Sequence, residues 1–154
     1  VLDGWLKQWS EHHKWGKTLT AKLRPHRSGS DLVALHVTDG GDDDVANIVF
    51  AAIQDRRGRN IISVRDQSVD KEYRQKRLMT ICQLFLMHRY EPDKVHFVTP
   101  TDDNQAQTQG MKKMGLFSDV NTEIGDIIVA AVDRDFVKEL VQPDSAALKD
   151  LIQK

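Results

Sequence analysis

Hydrophobic positions recur every three to four residues at the start of the chain, at Leu2, Trp5, Leu6 and Trp9, and this spacing predicts an amphipathic helix running to about His13. Three tryptophans lie in or near that helix, a large aromatic surface that either caps a core or docks elsewhere. After Gly16 the period shortens to two. Alternation in Leu19 to Leu23 and in Leu32 to Val37 predicts two strands joined by the turn segment Pro25 to Ser30. The stretch Thr38 to Asp44, rich in glycine and aspartate, is an irregular loop, and Ala46 to Ile53 is a third strand. Arg56, Arg57 and Gly58 turn the chain into a fourth strand, Asn60 to Val64. Connections this short make an antiparallel meander of the first half.

In the second half Lys71 to Tyr90 has the length of a long central helix, with Leu78, Ile81, Cys82, Phe85 and Leu86 on its buried side. Val95 to Val98 is a short buried strand, and the intervening helix is the crossover that lets it lie parallel to the fourth. Thr101 or Asp102 can cap a further helix over about Asp103 to Met114, which Gly115 ends. Ile127 to Val132 is one more strand. A terminal helix opens near Ser145, after Pro143, and carries Leu148 and Ile152 toward a partner surface. The expected class is α/β of the α+β kind: a mixed, mostly antiparallel sheet flanked by helices.

Composition narrows the function. With 154 residues, 40% hydrophobic and 29% charged, the chain suffices for one core, so one domain over 1–154 is expected. A net charge of −1 gives no global basic field for a nucleic acid. The lone cysteine, Cys82, has no internal disulfide partner and suits a reducing cytoplasm. Neither a signal peptide nor an apolar run of about 20 residues occurs, so export and a membrane span are not expected. The first residue is Val1 and helical patterning follows at once, which suggests a domain excised from a longer chain.

The most informative segment is Asn60 to Leu86, a strand, a short loop and a helix whose first turns are expected to hold Arg74, Gln75, Lys76 and Arg77. Free N–H groups and the helix dipole favour an anion at such a helix start, whereas clustered cations oppose the dipole and call for a compensating anion. The layout therefore points to a phosphorylated ligand; its alternative is a solvated basic helix start. Elsewhere the ordinary explanation is favoured. Asp39 and Asp42 to Asp44 lack the ligand spacing of a calcium site, and His12 and His13 lack metal-ligand partners and read as surface residues. His88 and His96 have no visible third partner, and Ser63 has no nucleophile elbow around it. Met79, Met87, Met111 and Met114 read as core filler. No catalytic and no metal-binding residue is expected.

The order of elements, with Tyr73-Arg74-Gln75-Lys76-Arg77-Leu78-Met79 before the central helix, resembles the Gcn5-related acetyltransferase fold. The family's corresponding loop is glycine-rich and grips the pyrophosphate of coenzyme A through backbone N–H groups. This chain departs from it, with Gln75, Arg77 and Met79 where glycines are usual. Asn104 and the helix end Lys113-Met114-Gly115-Leu116-Phe117 are similar to the family's second signature. The tyrosine that acts as acid in that helix is absent; Met111 stands about there, and a thioether cannot protonate a departing thiolate.

A closer resemblance covers nearly the whole chain. It is carried by Lys22-Leu23-Arg24-Pro25-His26-Arg27-Ser28-Gly29-Ser30, Asp43-Asp44-Val45-Ala46-Asn47-Ile48-Val49-Phe50, Arg65-Asp66-Gln67, Arg74-Gln75-Lys76-Arg77-Leu78-Met79-Thr80, Val98-Thr99-Pro100-Thr101-Asp102-Asp103-Asn104 and Gly115-Leu116-Phe117-Ser118-Asp119-Val120-Asn121. These resemble the C-terminal regulatory domain of long-form isocitrate lyases, the isocitrate lyase 2 type. The resemblance implies an acetyltransferase-like domain that binds acetyl-CoA or propionyl-CoA. Its partners would be its own magnesium-dependent lyase catalytic domain, in a tetramer of the glyoxylate bypass, and the same domain of another subunit. The Lys-Lys-Cys-Gly-His run of the lyase barrel does not occur here. Carried onto this chain, the resemblance sets the pantetheine arm against backbone groups of Ile62, Ser63 and Val64. It sets phosphates against Arg74, Gln75, Lys76, Arg77, Leu78 and Met79, and the pantetheine or acyl end against Asn104. Trp5, Trp9 and the terminal helix are expected to be exposed surfaces of the regulatory switch.

Overall fold

The computed structural model describes residues 1–13, 18–25, 31–40 and 44–153, together with the backbone but not the side chains of Glu123 and Ile124. The turn expected at Pro25 to Ser30 and the loop at Thr38 to Asp44 lie largely outside the described residues, as does Trp15.

The order is α1 (Leu2–His12), β1 (Thr20–Pro25), β2 (Leu32–Thr38), β3 (Asp44–Gln54), β4 (Asn60–Val69), a 3-10 turn (Lys71–Tyr73), α2 (Leu78–Tyr90), β5 (Lys94–Val98), α3 (Asp102–Met114), β6 (Phe117–Ile124), β7 (Ile127–Val132), α4 (Arg134–Leu140) and α5 (Ala146–Gln153). The strands form one sheet in the order β1-β2-β3-β4-β5-β7-β6. Every neighbouring pair is antiparallel except β4 and β5, which are parallel, as the α2 crossover requires. The mixed, mostly antiparallel sheet flanked by helices is the architecture expected. Among the described residues no helix is long and apolar enough to cross a membrane.

Three expectations change. The central helix begins at Leu78, not Lys71, because Gln75 and Arg77 hold φ near +62° and +63°, a left-handed conformation that no α-helix can include. The fourth strand runs on to Val69 through Arg65, Asp66, Gln67 and Ser68, a polar stretch that pairs with β3 despite its weak strand propensity. Trp5 and Trp9 are core residues, 6% and 0% exposed, and Leu148, Leu151 and Ile152 of α5 are buried with them. That apolar face is already covered, since α1 packs on α2 and α5, so it is no exposed switch surface. Two elements escaped the pattern altogether: β6, an edge strand of mostly polar residues, and the two-turn helix α4, whose N-terminus Asp133 caps by accepting from the Phe136 N–H.

The remaining boundaries follow local chemistry. Thr101 and Asn104 close a reciprocal capping box at the start of α3. Gly115 ends that helix at φ +93°, where a Cβ would lie 3.3 Å from the Phe136 ring. Met87 and Met111 are buried and Met79 and Met114 partly buried, as core filler should be.

Candidate functional site

The site is made by the way β4 leaves β5. Along Ile61 to Val64, β4 lies in register with β5 at Lys94 to Phe97. On the other side, the register with β3 slips between Val49, opposite Asp66, and Phe50, opposite Val64, so Arg65 is the extra residue of a β-bulge. A bulge bends its strand. Pairing with β5 stops at Val64, while β4 continues to Val69 paired with β3 alone. Arg65 to Val69 therefore have no strand partner on the β5 side, and the two parallel strands part there.

This geometry revises the expected backbone contacts. Ile62, Ser63 and Val64 are matched to β3 on one side and β5 on the other, so their N–H and C=O groups are committed to the sheet. The stretch without a strand partner on that side lies further on, at Arg65 to Ser68, before Val69, whose carbonyl accepts from Arg74 Nε. On the far wall β5 ends at Val98, and Thr99 swings the chain out toward α3 at φ +50°, a rare conformation for a β-branched residue, with its N–H on the Asp126 carbonyl at 2.8 Å.

Beyond the open edge lies the loop carrying the expected phosphate residues. Arg74, Gln75, Lys76 and Arg77 form the turn between the 3-10 turn and α2, and Leu78 and Met79 are the first two residues of the helix. Gln75 and Arg77 take, without glycine, the left-handed conformation that glycine would adopt at no steric cost. Arg77 gives no side-chain cap, so the N–H groups of Leu78, Met79 and Thr80 at the helix start have no intrahelical acceptor. Arg74 Nε donates to the Val69 carbonyl at 2.8 Å and Lys76 Nζ to the Glu72 carbonyl at 3.2 Å, contacts that brace the loop. The Arg77 side chain makes no hydrogen bond or ion pair among the described residues. An uncapped helix start flanked by three cations is an arrangement suited to phosphate oxygens.

Asn104 is separated from that loop in role. Its Oδ1 accepts from the Thr101 N–H at 2.9 Å, so its carbonyl end belongs to the α3 cap and its Nδ2 remains the donor for another partner.

Sequence reasoning missed two groups here. Gln83, 1% exposed on α2, donates to Gln67 Oε1 at 2.8 Å, and Gln67 Nε2 donates to Gln107 Oε1 of α3 at 2.8 Å, an amide chain that ties the open stretch of β4 to both helices. Trp9 Nε1 donates to the Lys76 carbonyl at 2.8 Å. The signal for the first was a glutamine on the apolar side of the central helix; only the fold pairs Trp9 with a residue 67 positions away.

Other candidates resolve simply. Burial pushes the Cys82 thiol up to about 12, so it is no nucleophile. Asp44 pairs with His36, and Asp39 accepts from the Tyr73 hydroxyl at 3.3 Å. His88 lies against Trp5. His13, expected at the surface, packs on Trp9, and its Nε2 is buried with no hydrogen-bond partner among the described residues. A cavity of about 270 Å³ lined by Ile53, Ile62, Tyr90 and Pro92 opens at the other end of β4, away from the divergence and the cationic loop.

No family model matches the chain. Over 155 aligned residues and its whole length it is 49% identical to isocitrate lyase 2 of Mycobacterium tuberculosis (strain Erdman) and of Mycobacterium bovis. The chain is homologous to the C-terminal part of mycobacterial isocitrate lyase 2. It spans 20% of those relatives, and 39% of a shorter M. tuberculosis relative that it matches at the same identity. Solved structures share its fold at very low identity. The AtaT toxin bound to the C-terminus of the antitoxin AtaR superposes with a TM-score of 0.58 at 7% identity, over 80% of this chain and 98% of that one. AtaTR bound with acetyl-CoA gives 0.55 at 8%, over the same shares. A KacTA–DNA complex gives 0.55 at 10%, over 73% of this chain and 74% of the other. The chain therefore has an acetyltransferase-like fold, as its element order implied.

Proposed function

We propose that the chain is a C-terminal regulatory domain that binds acetyl-CoA or propionyl-CoA and adjusts the activity of an isocitrate lyase catalytic domain in the same polypeptide. That parent would cleave isocitrate to glyoxylate and succinate in the cytoplasm, with its magnesium and catalytic cysteine outside this chain. The observation that carries the reading is the divergence of β4 from β5 beside an uncapped helix start and the unpaired Arg77. The pantetheine arm has amides that can extend the ladder along Arg65 to Val69, as a strand added to an open edge does. The phosphates meet Arg74, Lys76, Arg77 and the N–H groups of Leu78 and Met79, and Asn104 Nδ2 faces the pantetheine or acyl end. A neighbour in fold solved with acetyl-CoA supports the ligand class.

Acyl transfer by this domain is disfavoured. Met111 is 1% exposed in the core and offers no proton to a thiolate. Binding must then act by shifting the domain between two arrangements relative to its lyase or to the same domain of a second subunit, and only a difference in acyl-CoA affinity between those arrangements does so.

A second reading, an interaction domain with a closed pocket, has one observation in its favour: the Gln67 to Gln107 hydrogen bond joins the open stretch of β4 to α3. Calorimetric titration with acetyl-CoA, CoA and acetate separates the two. Saturable binding that prefers acetyl-CoA supports the sensing domain. In Arg77→Gly, which keeps the left-handed backbone and removes the guanidinium, CoA affinity falls roughly tenfold, the worth of one charge-assisted hydrogen bond. No heat at millimolar ligand would sink the reading in favour of the closed pocket.

A further inference from the structure

We infer that Trp9 is a positioning residue of the phosphate-binding loop, and that α1 is the element through which an occupied loop is felt by the rest of the molecule. The inference rests on the acyl-CoA reading above. Lys76 lies between two residues held left-handed without glycine, Gln75 and Arg77. Such a backbone persists only where its surroundings over-determine it. The surroundings here come from α1: the indole Nε1 of Trp9 donates to the Lys76 carbonyl at 2.8 Å, and the Trp9 ring stacks on Tyr73, 6.2 Å between centroids and 23° between planes. Tyr73 in turn is tied to Asp39 by its hydroxyl.

The consequence for an anion follows from peptide geometry. In a trans peptide the carbonyl of one residue and the N–H of the next point in opposite directions. Holding the Lys76 carbonyl toward α1 therefore aims the Arg77 N–H away from α1, and Arg77 is the residue that precedes the helix start. A rotation of that peptide would remove a donor from the anion and strand the N–H of a tryptophan that is 0% exposed, so the loop and α1 have one shared preferred arrangement. Because α1 also packs on α5, a change at the loop reaches the far helix through two buried contacts.

The test uses Trp9→Phe, which keeps an aromatic ring in the core and removes the donor with part of the indole volume, together with nitrogen-15 spectra of the indole groups in the unsubstituted chain. The expected results are a CoA affinity five- to tenfold weaker in the variant and a shifted Trp9 indole resonance when CoA, or inorganic pyrophosphate alone, is added. The indole resonance is read on the native chain, so it decides even where the variant fails to fold. CoA binding by the native chain with an unmoved Trp9 resonance, or with undiminished affinity in a folded variant, overturns the role of Trp9 and leaves the acyl-CoA reading intact. Failure of the native chain to bind CoA overturns both.

Discussion

Left-handed backbone at a residue other than glycine costs about 1–2 kcal/mol, and this chain carries that cost twice within three residues, at Gln75 and Arg77. At Arg77 the proposed role is a charge offered to a phosphate; the Gln75 side chain makes no hydrogen bond among the described residues. Gln75→Gly is accordingly expected to raise stability by about 0.5–1 kcal/mol, the relief of strain less the extra freedom glycine has in the unfolded chain, with CoA affinity held within twofold. Urea unfolding and calorimetry check the two halves. The identities of these loop residues were plain in the sequence, but their conformation was not, because a run such as Tyr73 to Met79 has no residue that forbids a helix. The helix expected from Lys71 ends its claim at Leu78 because the loop is held from outside by Trp9 and Asp39.

At the level of elements, one bulged residue decides where a ligand can lie. Residue order located β4 and its parallel partner, yet gave no sign that Arg65 is unmatched; the backbone contacts expected at Ile62 to Val64 fall where β4 pairs on both sides. Beyond the bulge, the polar run Asp66 to Ser68 stays in the sheet because β3 supplies Val49, Ile48 and Asn47 as partners. The amide chain Gln83, Gln67, Gln107 lies across this open stretch. A pantetheine arm competes with it, so Gln107→Ala is expected to tighten acetyl-CoA binding severalfold while lowering stability by about 1 kcal/mol, the net worth of a hydrogen bond. Weaker binding in that variant would instead assign Gln107 to the ligand. The paired comparison of thermal melts and titrations reads both effects.

For the whole molecule, histidines set the response to mild acid. Burial and the neighbouring Lys94 lower the pKa of His96 on β5, and burial, His12 and Lys76 lower that of His13 beside Trp9. Both groups are better neutral in the folded chain, so above the ordinary histidine value of about 6.5 they leave stability unchanged. As pH falls below it, the unfolded chain takes up protons that the folded one refuses, and stability declines. Melting temperature is expected to be flat between about pH 8 and pH 7 and to fall toward pH 5, less steeply in His96→Gln; a flat curve in the native chain would refute the shifts. What could be read from residue order was whatever depends on near neighbours in the chain: the period-two and period-3.6 runs that make the meander and helices, the capping chemistry of Thr101 and Gly115, and a cluster of cations before a helix. Contacts between residues far apart in sequence needed the fold itself. The bulge at Arg65, the burial of Trp5 and Trp9 under α5, and the indole held on the Lys76 carbonyl arise only when elements pack, because each is fixed by partners that no local period encodes.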